Sequence, residues 1–260
     1  MTTKPQWTIR AAGALCAVLA VGVTAVGAAE RNVPQPRLKP VPPVIRHIAP
    51  PQPVPPTPAP KTDEAAPAEA AAEDAMQACL ALLHELGADA AAAQPFETKE
   101  GCRIADPVVL KSVRSGTSRV TFSGGPMLSC AFAIKLVHWS ADVVSPAARH
   151  HLGAPVDRVL VGPGYVCRGR NGATTGKLSE HAFGNAMDIL GLVLDGGTKV
   201  MIIEEPDAKG ARKSFLSAMR TSACGYFTTV LGPGADDAHV NHYHVDLGKH
   251  GSSDRYRICQ

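Results

Sequence analysis

A chain that places two metal ligands seven residues apart and brings both to one ion has to reverse direction between them. Ser179–Asp188 reads SEHAFGNAMD, with His181 and Asp188 on either side of Gly184. Ligand atoms on one zinc lie about 2 Å from the metal, so they sit a few Å from each other. Seven residues of helix would separate the backbones by about 10 Å, and seven of strand by more than ~20 Å on opposite faces. Gly184 and Asn185 are the residue types that permit a reversal, because both tolerate φ > 0. A third ligand must come from elsewhere. The best supplier is His242-Tyr243-His244, near the C-terminus.

The ends of the 260-residue chain are not ordinary globular sequence. Lys4 and Arg10 precede an uncharged apolar run, Ala11 to Ala29, that ends with the small residues Gly27 and Ala29. Residues 1–29 therefore read as a cleaved signal peptide or as an uncleaved transmembrane anchor in the inner membrane. Cys16 is preceded directly by Leu15, which is not a lipoprotein context. Residues 30–75 form a linker. Up to residue 60 it is dense in proline and reads as a semi-rigid polyproline II spacer; residues 61–75, rich in Ala, Glu and Asp, continue it or begin a helix. The whole chain has 26 basic and 23 acidic residues, and without residues 1–29 the net charge is +1. That is no basic field suited to nucleic acid, and no nucleic-acid-binding motif is present.

Seven cysteines are present. Apart from Cys16 there remain Cys79, Cys102, Cys130, Cys167, Cys224 and Cys259, an even set that suggests three disulfides in an exported domain. Six cysteines allow 15 pairings. Pairing of neighbours gives Cys79–Cys102, Cys130–Cys167 and Cys224–Cys259. A cysteine zinc site is disfavoured by the absence of CxxC.

Residues 76–260 form the folded domain. Met76, Cys79, Leu80, Leu82, Leu83 and Leu86 recur at helical spacing before Gly87. Helices are expected at Leu128–Ser140, Ala147–Leu152 and Ala211–Thr221. Strands are expected at Val108–Val113, Val120–Phe122, Val156–Val161 and Ala186–Leu194. After a turn at Asp195-Gly196-Gly197, further strands run over Lys199–Ile203, Phe227–Leu231 and Val240–Leu247. The class is α+β: one domain with a small, mostly antiparallel sheet flanked by helices, stabilised by disulfides, with zinc in a cleft on the sheet.

In the last strand His242, His244 and Asp246 share one side, and the less polar Tyr243, Val245 and Leu247 share the other. The second set faces the core and the first faces a cleft. Taken together, SEHAFGNAMD, HVNHYHVDL, GYVCRGRNG, VLGPGADDAH and the ending YRIC resemble the extensin-like C-terminal domain family. The resemblance runs from about Cys79 to Cys259. It extends to the zinc-peptidase superfamily of D-Ala-D-Ala carboxypeptidases, penicillin-insensitive murein endopeptidases and the hedgehog signalling domain.

The resemblance implies zinc held by His181, Asp188 and His244. It implies that His242 polarises water or stabilises the transition state, and that His239 is an additional active-site histidine. Ser179 matches a serine that opens the first motif in the carboxypeptidases. Arg168 and Arg170, after Tyr165, match an arginine that holds the substrate carboxylate; the other reading is two surface arginines. The carboxypeptidases carry a catalytic Glu three residues before the last zinc ligand, where this chain has Asn241, so His242 is the expected base. Asp246 reads either as a partner orienting a zinc histidine or as a polar strand end, and Glu180 reads as solvated. The implied reaction is zinc-assisted amide hydrolysis of peptidoglycan stem peptides or crosslinks in the cell envelope. The alternative is a zinc-containing wall-binding protein without turnover. A structural wall protein is disfavoured, because residues 34–60 lack the Ser-Pro-rich period of plant extensins.

Overall fold

The structure is a computed structural model, and it describes residues 65–260 other than 174 and 253–255. The expected signal or anchor segment and the Pro-rich stretch lie outside the described residues. Among the described residues, no helix is long and apolar enough to cross a membrane.

Helix α1 (Ala65–Glu85) takes in residues 65–75, so the stretch left open between linker and helix is helical from Ala65 onward. It is followed by strands β1 (Ala88–Ala92), β2 (Phe96–Glu97), β3 (Arg103–Ile104), β4 (Pro107–Ser115), β5 (Ser118–Phe122) and β6 (Met127–Ser129). Helix α2 (Cys130–Trp139) runs through a π-helical turn, Ser140–Val144, into α3 (Ser145–Leu152). Then come β7 (Val156–Val161), β8 (Ala186–Leu194), β9 (Lys199–Met201), α4 (Gly210–Tyr226), β10 (Thr229–Leu231), β11 (Tyr243–Asp246) and β12 (Ile258–Cys259).

One sheet of ten strands runs in the order β1-β4-β5-β7-β8-β11-β10-β12, with β6 beside β4 and β9 beside β8; β2 and β3 form a separate pair. Its pairings are antiparallel except β5 with β7 and β10 with β12. The domain is α+β as expected, but the sheet is larger than the small one expected. Part of the excess is β1, a run of alanines and one Asp with weak intrinsic β preference. Its place is set by pairing with β4 rather than by propensity. Helix α2 starts two residues later than the apolar spacing suggested, because Ser129 caps it: its hydroxyl accepts from the Phe132 N–H at 3.3 Å.

The core lies between one sheet face and the helices. Phe132, Leu136 and Trp139 of α2 and Phe215, Leu216 and Met219 of α4 are buried with Met187 and Ile189 of β8 and Tyr243 and Val245 of β11. The Tyr243 hydroxyl donates to the Leu216 carbonyl at 3.4 Å. Alternation along a strand therefore turns Asp188 and His244 to the opposite face.

Three disulfides close the domain: Cys79–Cys130, Cys102–Cys167 and Cys224–Cys259. The neighbour pairing is corrected at two of the three. Cys79 and Cys130 join α1 to the first residue of α2, helices that the sequence separates by six strands and the fold packs together. Cys102 is buried beside β3 and reaches Cys167, anchoring the segment that carries Gly164 and Arg168. Cys224–Cys259 fastens the tail to α4, as read from the sequence. Closing loops of 51, 65 and 35 residues stabilises by about 4 kcal/mol each in the chain-entropy account. Replacing Cys102 and Cys167 together by Ala is expected to lower the unfolding free energy by about 2–4 kcal/mol, read by urea titration. Peptide mass mapping of the unreduced protein should recover Cys79–Cys130 and not Cys79–Cys102.

Candidate metal centre

His181 sits in a short 3-10 turn, Glu180–Phe183, that Gly184 closes with φ of 64°. A Cβ on Gly184 would meet Ile104 Cδ1 at 2.6 Å and the Ser129 nitrogen at 2.7 Å. The site thus demands glycine for its dihedral and for its space. Asn185 has no left-handed backbone, which corrects the expectation for it. Its side chain works instead: Oδ1 accepts from the Ser129 hydroxyl at 2.7 Å, while the Gly184 carbonyl accepts from the Ser129 N–H at 2.9 Å. The reversal is therefore stitched to the start of α2. Ser179 is buried, and its hydroxyl accepts from the His181 N–H at 3.4 Å, capping the turn that presents the histidine.

After the reversal the chain enters β8, which pairs antiparallel with β11 so that Asp188 stands directly opposite His244. Three donor atoms converge. His181 Nε2 lies 3.2 Å from Asp188 Oδ1 and 3.3 Å from His244 Nδ1, and His244 Nδ1 lies 2.9 Å from Asp188 Oδ1. Metal bonds of about 2.0–2.1 Å at tetrahedral angles would place neighbouring donors about 3.3 Å apart.

The protons support the same reading. The Gly164 carbonyl can only accept, so His181 Nδ1 donates to it at 3.0 Å and leaves a lone pair on Nε2. Asp246 Oδ2 accepts from His244 Nε2 at 2.9 Å, which leaves a lone pair on Nδ1. Three acceptor atoms then face one another, and either protons or a cation must sit between them. His181, Asp188 and His244 form a possible metal-binding triad with all donor atoms within 4.8 Å of one another, and its residues suit zinc. Asp246, left open in the sequence, is the partner of His244. It is buried and also accepts from the Gly248 N–H at 2.8 Å.

Electrostatics follow from this crowding. Burial would raise the Asp188 carboxyl, but the bonds and charges of His181 and His244 hold it far below the usual carboxylate range. Burial disfavours a charged His244, yet Asp188 and Asp246 outweigh it and push it up to about 9. Burial lowers His242, against the pull of the Asp188 carboxylate, and the neighbouring histidines add to the lowering.

Two more histidines reach the cleft. His242 Nδ1 is held at 2.8 Å by Asn241 Oδ1, and its Nε2 lies 3.5 Å from Asp188 Oδ1. β11 is shorter than the strand expected over Val240–Leu247, so Asn241 and His242 both precede it, and Asn241 orients the imidazole, a part that its lack of acid–base chemistry had hidden. His239 is buried and fixed through Nδ1 by Asp236 Oδ1 at 2.5 Å. Its ring centroid is 5.3 Å from that of His242 and 5.6 Å from that of His244. Asp236 also accepts from the Ala238 and His239 N–H groups, capping the turn Asp237–His239.

The cleft is ≈ 380 Å³ and includes Arg168, Arg170, Ser179, Glu180, His239 and His250 in its walls. Arg168 is half-buried with one guanidinium nitrogen 3.9 Å from Asp188 Oδ2, whereas Arg170 is exposed. Glu180 is not solvated as expected. It is partly buried, accepts from Asn185 Nδ2 at 3.4 Å, and is raised by burial and then by the Asp246 charge. Asp236, Gly164 and His250 were missed. Only Asp236 left a local signal, its spacing of three before His239.

A disulfide-closed α+β domain that carries a His/Asp triad on the open face of its sheet is the class of protein this geometry defines. Residues 77–260 match the family described as extensin-like protein C-terminus, and the chain belongs to that family. No curated protein and no solved structure matches the chain.

Zinc titration is expected to load one ion per chain, with His181→Ala, Asp188→Asn or His244→Ala each removing it and Asp246→Asn weakening it about 10- to 100-fold. Zinc content of the dialysed proteins reads the result. The metal-free protein has a definite pH profile. His244 is raised above its ordinary 6.5, so its contribution is full below pH 6.5 and is lost as pH rises through about 9. Asp188 is depressed below 3.8, so its contribution is present above that value and is lost as pH falls toward its folded pKa. Thermal unfolding without metal should therefore show highest stability between about pH 4 and 6.5, with added zinc rescuing the alkaline side.

Proposed function

We propose that the protein is an exported zinc-dependent peptidase that acts on peptidoglycan stem peptides or crosslinks in the periplasm or cell envelope. The observation that carries this reading is the convergence of His181 Nε2, Asp188 Oδ1 and His244 Nδ1 in an open cleft beside His242 and His239. Zinc bound by three protein ligands supplies an acidified water and a Lewis acid for the scissile carbonyl. The chain supplies the rest. Gly164 and Asp246 fix the tautomers of His181 and His244, so their lone pairs point inward. Asn241 fixes His242 with Nε2 toward the cleft, and burial favours the neutral ring, the form that can take a proton. Asp236 aims His239 at the same space, where it can stabilise developing negative charge. Arg168, beside Asp188, and the more exposed Arg170 offer guanidinium forks to a substrate carboxylate.

A second reading is a zinc-containing wall-binding protein without turnover. Asn241 favours it, because no carboxylate stands at that position and its side chain is occupied with His242.

Isolated sacculi incubated with the zinc-loaded protein separate the two. Muropeptides resolved by mass are expected to lose crosslinked or pentapeptide species. His244→Ala should abolish the loss, and His242→Ala should reduce it by 10²-fold or more. Tight sacculus binding with unchanged muropeptides would instead establish the binding protein.

A further inference from the structure

The cleft continues beyond the triad. Arg170, His250 and Ile258 are shared with a second groove of ≈ 500 Å³, whose walls also include Lys177, Lys249 and Tyr256. Its cations come from two parts of the chain. Arg170 and Lys177 lie on the two legs of one loop, closed where the Arg170 N–H donates to the Lys177 carbonyl at 3.1 Å and where Gly169 bridges Leu178. Lys249 and His250 follow β11. His250 is anchored: its Nε2 lies 2.7 Å from Thr229 Oγ1, and its ring meets Tyr256 edge-on with centroids 6.4 Å apart.

These cations differ from the ion-paired arginines. Arg103, Arg158, Arg168, Arg212 and Arg220 each have a carboxylate within 4.0 Å. Among the described residues, no carboxylate comes that close to Arg170, Lys177 or Lys249. The two ends of the combined cleft thus differ. Glu180, Asp188 and Asp246 line the triad end together with Arg168 and Arg170, whereas the walls of the other end hold Arg170, Lys177 and Lys249 and, among the described residues, no acid.

We infer that this groove is a subsite for a carboxylate of the same peptide whose amide lies at the triad. The inference rests on the peptidase reading for what lies at the triad. The charge of the groove selects the ligand. Its described lining residues include no acid, so a carboxylate displaced from the reacting amide toward Lys177 and Lys249 meets cations without a competing anion. The groove is open, so the attraction is screened by salt and each cation contributes modestly. Its effect is selection of acidic over neutral peptides.

The test uses the full chain, loaded with zinc, and two synthetic pentapeptides that differ only in whether one side-chain carboxylate is free or amidated. Calorimetry is expected to show tighter binding of the free acid at low salt. The double substitution Lys177→Ala and Lys249→Ala changes two exposed side chains, and should cut that preference by on the order of tenfold. Binding of the amidated peptide and zinc content should stay unchanged. Lys177→Arg with Lys249→Arg should restore the preference. Persistence of the preference in the Ala variant, or equal loss for both peptides, overturns the inference. So does displacement of the acidic peptide by inorganic phosphate at far lower concentration than by acetate. Repeating the titration with His244→Ala separates the two readings. A lysine-dependent preference that survives without metal supports the subsite even if sacculi are never cleaved. Cleavage with no lysine-dependent preference leaves the peptidase reading intact and removes the subsite.

Discussion

The placement of Asp188 opposite His244 across β8 and β11 is the constraint on which the site depends. Directly opposed residues of an antiparallel pair hold their Cβ atoms about 5 Å apart, so two residues of the candidate triad are set by sheet register alone. A slip of one residue would turn Asp188 into the core and Met187 toward the cleft. The register is protected by the same alternation, because Met187, Ile189, Tyr243 and Val245 are all fully buried against the helices. Hydrophobic burial on one face thus fixes polar geometry on the other.

The third residue of the triad arrives by a different route. His181 lies outside the sheet, and its position is set by Gly184, by the cap from Ser179 and by the bonds that tie residues 184 and 185 to Ser129. Gly164 then sets its tautomer. The Gly164 segment is itself pinned by Cys102–Cys167 and by the edge contact of Phe96 with Tyr165, 4.8 Å between centroids. The disulfide that the sequence paired differently therefore bears on the orientation of a triad histidine. Buried imidazoles and carboxylates with inward lone pairs are costly unless a proton or a cation lies between them. The domain accepts that crowding at one place, where its two strands and its turn meet.

Much of this was legible in the sequence, for identifiable reasons. Strand alternation placed His244 and Asp246 together and Tyr243 with Val245 in the core, because a period of two survives even in a strand of four residues, while His242 reaches the cleft from just before that strand. The need for a reversal between His181 and Asp188 pointed to Gly184, because chain geometry permits little else. What escaped depends on long-range pairing. Ala88–Ala92 became a strand through β4, Cys79 found Cys130 through helix packing, and Asn241 gained its part from a contact with the next side chain. Glu180 was read as solvated, since nothing local reports that Asn185 and Asp246 lie beside it. The basic groove joins residues about 80 apart, Arg170 and His250, and no local pattern records such a meeting.

The central claim is that His181, Asp188 and His244 hold one zinc ion. X-ray absorption at the zinc edge of the loaded protein tests it most directly. The account predicts a first shell of nitrogen and oxygen only, at about 2.0–2.1 Å, with outer-shell scattering from two imidazoles. A shell containing sulfur, or one of water oxygens without imidazole scattering, would contradict it.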